Sequence, residues 1–234
     1  MKPSTNAVPR HIGIILDGNR RFAKRLMLKP WKGHEWGKDK VEKILEWAKE
    51  CGVEELTLYA FSLENFNRPK EEFDYLMKVF LEAFKYIQND TRLKETQIDF
   101  IGHRTLFPQD IQKAMQELEE VTKTSSPYKV HFAMGYGGQQ EIIDATIKIA
   151  QQIKEGTLQP KEVTKEKMLE ALELHAEPDL IIRTGGEKRL SNFLTFQSAY
   201  SEFIFLEKFW PEFEKEDLQA CIAEYGQRQR RFGK

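Results

Sequence analysis

The chain has 234 residues, with 36 Lys and Arg against 37 Asp and Glu, a net charge of -1, and 40% hydrophobic residues. That balance is ordinary for a globular domain and excludes a disordered or collagen-like chain, while the length allows one large domain or two small ones. No apolar run approaches the roughly 18 to 20 residues of a membrane span, and the opening MKPSTNAVPR lacks a signal peptide's apolar stretch, so a cytoplasmic location is expected. Cys51 and Cys221 lie far apart in helix-like sequence and form neither a CxxC pair nor a disulfide framework; both read as apolar packing residues.

Taken in chain order, residues 11–16 (HIGIIL) read as a strand. Residues 38–51 put Val41, Ile44, Leu45, Ala48 and Cys51 on one helical face and stop at Gly52. A second strand, 55–61, leads to a helix opened by Pro69, in which Phe73, Leu76, Met77, Phe80, Phe84 and Ile87 recur at helical spacing as a heavy aromatic stripe. A strand at 97–102 precedes a helix from Pro108 to about Thr124. Further strands fall at 130–134, 180–183 and 202–206, and further helices at 139–155, 165–175 and 216–228. This alternation predicts a single α/β domain over residues 1–234, with a central, mostly parallel sheet of about six strands flanked by helices and joined by right-handed crossovers. No repeat or linker divides it.

Ligands of open α/β sheets collect beyond the carboxyl ends of the strands, so the residues after each strand carry the functional signal. The first strand is followed by Asp17-Gly18-Asn19-Arg20-Arg21, a carboxylate, a flexible Gly and two guanidinium groups at a helix start. After the second come Ser62-Leu63-Glu64-Asn65-Phe66-Asn67-Arg68-Pro69, and after the fifth Arg183 to Asn192, with two Arg, two Gly and a Ser. Each alone reads as a capped turn or Gly-rich loop; three such strand ends on one sheet edge predict a site for phosphorylated ligands. ATP and NAD lose their usual support, since neither GxxxxGK[ST] nor a GxGxxG following a strand occurs. Gly135-Tyr136-Gly137-Gly138 reads as a tight turn into a helix, and His34 alone as a hydrogen-bonded structural residue. The basic tail from Arg228 to Arg231 has no nucleic-acid motif behind it, so no nucleic-acid partner is expected.

DGNRRFA (17–23), Gly33-His34, LYAFSLENFNRP (58–69), DLIIRTGGEKRLSN (179–192), AYSE (199–202) and the closing RRFG (230–233) occur in the order and spacing of the cis-prenyltransferases. The chain resembles undecaprenyl and dolichyl diphosphate synthases from start to finish. Arg20 and the KPWKGH segment resemble the archaeal and eukaryotic branch, the common bacterial one having Gly at that position. The resemblance implies a homodimeric, Mg²⁺-dependent enzyme that adds isopentenyl diphosphate units to an allylic diphosphate, geranylgeranyl or farnesyl diphosphate, making a long cis-polyprenyl diphosphate, the precursor of a glycosyl carrier lipid. It implies metal binding by Asp17 and Glu202, with Asp17 and Asn65 catalytic. Asn65, matched to a proton acceptor, reads better as an orienting group because a neutral amide is a poor base.

The resemblance further implies an allylic pocket from Gly18, Asn19, Arg20, Arg21, Phe22, His34 and Arg68, with Ser62, Leu63, Glu64 and Phe66 beside it. An isopentenyl diphosphate pocket follows from Arg183, Arg189, Leu190 and Ser191, completed by Arg231 and Gly233 of a second subunit, and peripheral membrane contact is compatible with product release. The aromatic stripe of residues 73–87 is expected to wall an apolar tunnel. Pro30 stands where the family often has Arg, which leaves Lys29 or Lys32 to supply that charge; Phe22 and Phe196 stand where Trp is common, Thr195 where an apolar residue is, and Gly135 and Gln139 replace a frequent Asn and Arg. Two alternatives are a non-catalytic partner subunit of a prenyltransferase, against which the intact Asp17, Asn19 and Arg21 argue, and a haloacid-dehalogenase-type phosphatase, whose second Asp is Asn19 here.

Overall fold

The computed structural model describes residues 8–90 and 94–228. Its strands are β1 (His11–Ile15), β2 (Glu55–Ser62), β3 (Thr96–Ile101), β4 (Tyr128–Tyr136), β5 (Leu180–Arg183) and β6 (Glu202–Phe205). Its helices are α1 (Asn19–Arg25), α2 (Gly33–Glu50), α3 (Lys70–Asn89), α4 (Gln109–Thr122), α5 (Gly138–Lys154), α6 (Lys165–Ala171) and α7 (Lys215–Gln227). The strands form one sheet in the order β3-β4-β2-β1-β5-β6, with every pairing parallel. The apolar run of β1 is buried along its length, as a central strand of a sheet covered on both faces must be.

On one face, Ile12, Ile14, Leu58, Phe100, Phe132 and Ile182 pack against α2, α3, α4 and α7 through residues such as Ile44, Leu45, Met77, Met115 and Leu218. Cys221 belongs to this core, and Cys51 packs at its margin, as the apolar reading of both expects. The other face gathers Ile15, Tyr59, Ile101, Ala133 and Ile181 against Leu174, Phe193 and Leu194. There these covering residues come from non-helical segments. That explains why α6 ends at Ala171, earlier than expected: the chain straightens to bury Leu172 and Leu174. Glu141 at the start of α5 accepts the backbone N–H groups of Glu173 and Leu174 in place of helical partners.

Register sets the functional edge. Ile15 of β1 stands level with Tyr59 of β2 and Arg183 of β5, so the segments that follow these three strands leave the sheet side by side. The helix α2 begins at Gly33, earlier than its apolar face suggested, because its first turns face a cavity and α1 rather than the core. An added Cβ at Gly33 would lie 1.9 Å from the Asn19 carbonyl oxygen and one at Gly37 2.3 Å from Asn19 Oδ1, so only glycine lets the two helices approach this closely.

Candidate active site

Beyond the carboxyl ends of β1, β2 and β5 opens a cavity of about 910 Å³, toward the upper end of small-ligand pockets. Its mouth is polar, with Asp17, Arg21, Arg68, Arg183 and Arg189 among its walls, and its inner part is apolar. Leu76, Val79, Phe80, Ala83, Phe84 and Ile87 line the inner part along α3, which spans about 16 Å from the first to the last at 1.5 Å per residue. Val41 of α2 and Phe132 and Met134 of β4 complete it. Phe73 and Met77, expected in the same wall, turn instead into the core, where Phe73 meets Phe61 and Phe66.

Asp17 sits in a turn fixed from several sides. Its carbonyl oxygen accepts from Trp210 N and Thr184 Oγ1, both at 2.8 Å, and its Oδ1 accepts from Gly18 N at 2.6 Å. Gly18 has φ +106°, and a Cβ there would lie 2.8 Å from Phe209, so the turn admits no side chain. Oδ2 faces two cations: Arg183 Nη2 at 2.9 Å and Arg21 Nη2 at 3.2 Å. Arg183 is buried, and its Nη1 donates to Ser191 Oγ at 2.9 Å and to the Arg189 carbonyl oxygen. The loop carrying Ser191 runs through left-handed backbone at Ser191, Asn192 and Leu194. It is held by Tyr59, whose hydroxyl donates to the Ser191 carbonyl, and by the start of α5, where Gly138 N and Gln139 N donate to Asn192 O and Oδ1. Burial, with the Glu64 charge adding to it, keeps the Tyr59 hydroxyl far above its ordinary range, so it remains a donor.

On the opposite wall, Arg68 Nη1 lies 3.4 Å from His34 Nε2. Burial, reinforced by the Arg68 and Arg20 charges, pushes the imidazole down to about 3, so His34 is neutral and Nε2 accepts. Between the two walls, the expected loop after β2 is a 3₁₀ turn, Leu63–Asn67, closed by a capping box. Ser62 N donates to Asn65 Oδ1 at 3.2 Å. The amide oxygen of Asn65 is thereby taken by the backbone, and its NH₂ group remains to face a ligand as a donor.

Of the residues singled out in the sequence, Asp17, Gly18, Asn19, Arg20, Arg21, His34, Ser62, Glu64, Asn65, Arg68, Arg183, Arg189 and Ser191 all line this one cavity. Others do not. Phe22 packs edge-on against Trp36, and Phe66 against Phe61 and Phe107. Leu63 lies against the Gly137 backbone, and Leu190 packs on the core of the second sheet face. Glu202 starts β6 level with Leu180, roughly 10 Å along the strands from the level of Arg183, and bonds Arg228 Nη1 at 2.8 Å. Within one chain it does not meet Asp17. Arg231 and Gly233 lie outside the described residues. Lys29 and Lys32 pair with Glu71 and Glu35 away from the cavity, whose additional cations are Lys24 and Lys38. Lys24 follows Arg21 at helical spacing on α1 and was findable from that signal; Trp210 of the short turn after β6, which also lines the cavity, carried none.

Among the described residues, no three His, Cys, Asp or Glu side chains are grouped as a metal cage would need. Asp17, part exposed at the mouth, offers a single carboxylate among guanidinium groups. This donor set fits a hard cation such as Mg²⁺ only where phosphate oxygens and water supply most of the ligands, an arrangement Mg²⁺ accepts.

Comparison with known proteins agrees with this geometry. The profile of the family described as "Putative undecaprenyl diphosphate synthase" matches residues 15–233. The tritrans,polycis-undecaprenyl-diphosphate synthase (geranylgeranyl-diphosphate specific) of Methanocaldococcus jannaschii is 46% identical over 97% of this chain and 83% of its own length. The protein of the same name from Methanopyrus kandleri is 45% identical over 100% of this chain and 88% of its own. The crystal structure of lavandulyl diphosphate synthase from Lavandula x intermedia, in complex with dimethylallyl diphosphate, superposes with a TM-score of 0.91 at 32% identity, covering 97% of this chain and 99% of that one. With a profile that spans nearly the whole chain, relatives this similar and a strand-end cavity joining an anion-binding mouth to an apolar channel, the chain belongs to the undecaprenyl diphosphate synthase family and is a cis-prenyltransferase.

Proposed function

We propose that the enzyme lengthens an allylic diphosphate of about geranylgeranyl size by repeated addition of isopentenyl diphosphate, giving a cis-polyprenyl diphosphate of ten or so units or more. The observation that carries this reading is the continuity of the cationic mouth with an apolar channel along α3, since a prenyl chain needs both a clamp for its diphosphate and a dry place to grow. The primer size rests on the names of the relatives from M. jannaschii and M. kandleri.

In each cycle the C1–O bond of the allylic diphosphate breaks and its electron pair leaves on diphosphate. The isopentenyl double bond supplies the pair for the new C–C bond, and a proton leaves the isopentenyl unit. Arg20, Arg21 and Arg68 bind and neutralise the departing diphosphate, while Arg183, Arg189 and Ser191 hold the isopentenyl diphosphate beside it. Mg²⁺ bound through Asp17 would add positive charge at the departing group. The Asn65 NH₂ group orients a substrate oxygen; with its carbonyl oxygen engaged by Ser62 N, the proton passes to a phosphate oxygen or water.

A homodimer completes the reading, with Arg231 and Gly233 reaching the partner's isopentenyl diphosphate site and Glu202 serving a metal only across subunits. No helix among the described residues is long and apolar enough to cross a membrane; cytoplasmic synthesis with product passing to a membrane surface is the matching proposal. The test is incubation of radiolabelled isopentenyl diphosphate with dimethylallyl, farnesyl and geranylgeranyl diphosphates and sizing of the dephosphorylated products. Geranylgeranyl diphosphate should prime best and give long chains; products that stop after one or two additions from every primer would refute the reading.

A further inference from the structure

A carboxylate outside the cavity stands directly behind its allylic wall. Glu72, in the first turn of α3, is 1% exposed and is not among the residues lining the cavity. Its Oε1 accepts from Arg68 Nη1 at 2.5 Å and lies 3.7 Å from Arg20 Nε and 4.0 Å from His34 Nε2. These three partners come from three separate elements: Arg20 from α1, His34 from α2 and Arg68 from the turn before α3. All three line the cavity on their other side.

We propose that Glu72 is the positioning residue of the allylic diphosphate subsite, holding Arg68 and Arg20 at the spacing at which they receive the diphosphate. The inference rests on the proposed function and assigns a role to a residue that touches no substrate.

A structural ion pair is the simpler account, and an exposed Arg–Glu pair one helical turn apart would need no more. Several features go further. Burying a full carboxylate is costly unless it is paired and hydrogen-bonded, and Glu72 is placed where its one oxygen serves two guanidinium groups at once. Those guanidinium groups would otherwise repel each other and turn to any available water. Each would then lose side-chain entropy on binding a diphosphate; Glu72 imposes that ordering in advance. The contact also uses only Nη1 of Arg68, leaving the opposite edge of the fork for a ligand. The position at the start of α3 supports the charge, because helix N-termini favour anions. Neutral His34 fills the remaining corner and accepts from Arg68, so the second guanidinium contact is not to another charge.

The isopentenyl diphosphate side depends on none of this. Arg183 and Arg189 take their bearings from Asp17, Ser191 and Glu187, with no contact to Glu72. The two diphosphate subsites should therefore respond separately to Glu72.

The experiment measures, for the full chain and for E72Q and E72D, steady-state KM for geranylgeranyl diphosphate and for isopentenyl diphosphate, and equilibrium binding of the unreactive geranylgeranyl thiolodiphosphate. Thermal unfolding is followed in parallel. E72Q keeps the shape and loses the charge; it is expected to weaken thiolodiphosphate binding and raise the allylic KM tenfold or more, with the isopentenyl diphosphate KM moving less than threefold. E72D keeps the charge one methylene further back and should shift the same allylic constants in the same direction by less, which keeps the test decisive if E72Q does not fold. Both affinities falling together, neither moving in a folded variant, or loss of the fold in both variants would overturn the inference and make Glu72 a structural ion pair. Failure of the unmodified protein itself to bind the thiolodiphosphate or to extend the primer would count against the proposed function instead.

Discussion

The guanidinium of Arg183 donates to Asp17 Oδ2 from Nη2 and to Ser191 Oγ from Nη1, both at 2.9 Å, so one buried side chain ties the carboxylate after β1 to the loop after β5. Neither strand end is independent of the other. Asp17→Ala should lower turnover by roughly two orders of magnitude or more, the scale for losing a charge-stabilising group, and Arg183→Ala should do the same. Arg183→Lys should not restore activity, because a point charge cannot span the two partners. In the double variant the losses should be far from additive in ln(kcat/KM), as for residues acting through one contact; additive losses would show that the pair is not a unit.

With no carboxylate cage among the described residues of the mouth, metal affinity should depend on phosphate. Titration of Mn²⁺, followed by its electron paramagnetic resonance signal, should reveal little binding to the free protein and clear binding once geranylgeranyl thiolodiphosphate is present. Asp17→Asn should remove most of that gain. Tight binding to the ligand-free protein would point to a cage that the single carboxylate does not supply.

Two buried histidines predict the acid response of the fold. His34 is held down at about 3 and His11 at about 4, burial being the first cause for both, against 6.5 for a free imidazole. Between pH 6.5 and about 4 the unfolded chain therefore binds more protons than the folded one, so stability falls as pH falls. Each residue contributes a slope of up to about 1.4 kcal/mol per pH unit. Urea unfolding at pH 7.5, 6 and 5 should show this loss, and H34Q with H11Q should flatten it; an unchanged slope in the double variant would refute it.

Ala83 lies on the channel side of α3. Ala83→Leu adds a side chain where a growing prenyl chain would run, and should shift products to shorter lengths while the first addition proceeds at near-normal rate. The products are sized by reversed-phase thin-layer chromatography after dephosphorylation. An unchanged length distribution would remove this face of α3 from the channel.

Strands and most helices were legible because their apolar runs sit on a sheet whose order brings successive crossovers into place. The mouth was legible because Asp17 and Arg183 sit at strand ends and Arg68 lies in the segment that leads from β2 to α3. What escaped depended on contacts remote in sequence. Trp210 reaches the cavity by bonding Gly37 O through Nε1 and Asp17 O through its backbone N–H, partners far away along the chain. Glu72 reads as an ordinary first-turn acid until its burial among groups from three elements is seen. The aromatic stripe of α3 reads in the sequence as one face, yet three- and four-residue spacing spans a wide arc: Phe73 and Phe80 both pack on Phe61, and only Phe80 also borders the channel.

That division of α3 gives selection two nearly independent handles. Trimming Met77 or Phe73 empties packed space, at a cost of about 2 to 5 kcal/mol for a large-to-small core change, enough to endanger the fold. Reshaping Val79 or Ala83, which line the channel and lie outside that core cluster, changes the bore of a space that is already open, with little packing to lose. Descendants of this chain can thus drift in the length of lipid they make while keeping the same melting behaviour, and a library restricted to the channel-side positions should yield folded enzymes of varied product size far more often than one drawn from the core-side positions.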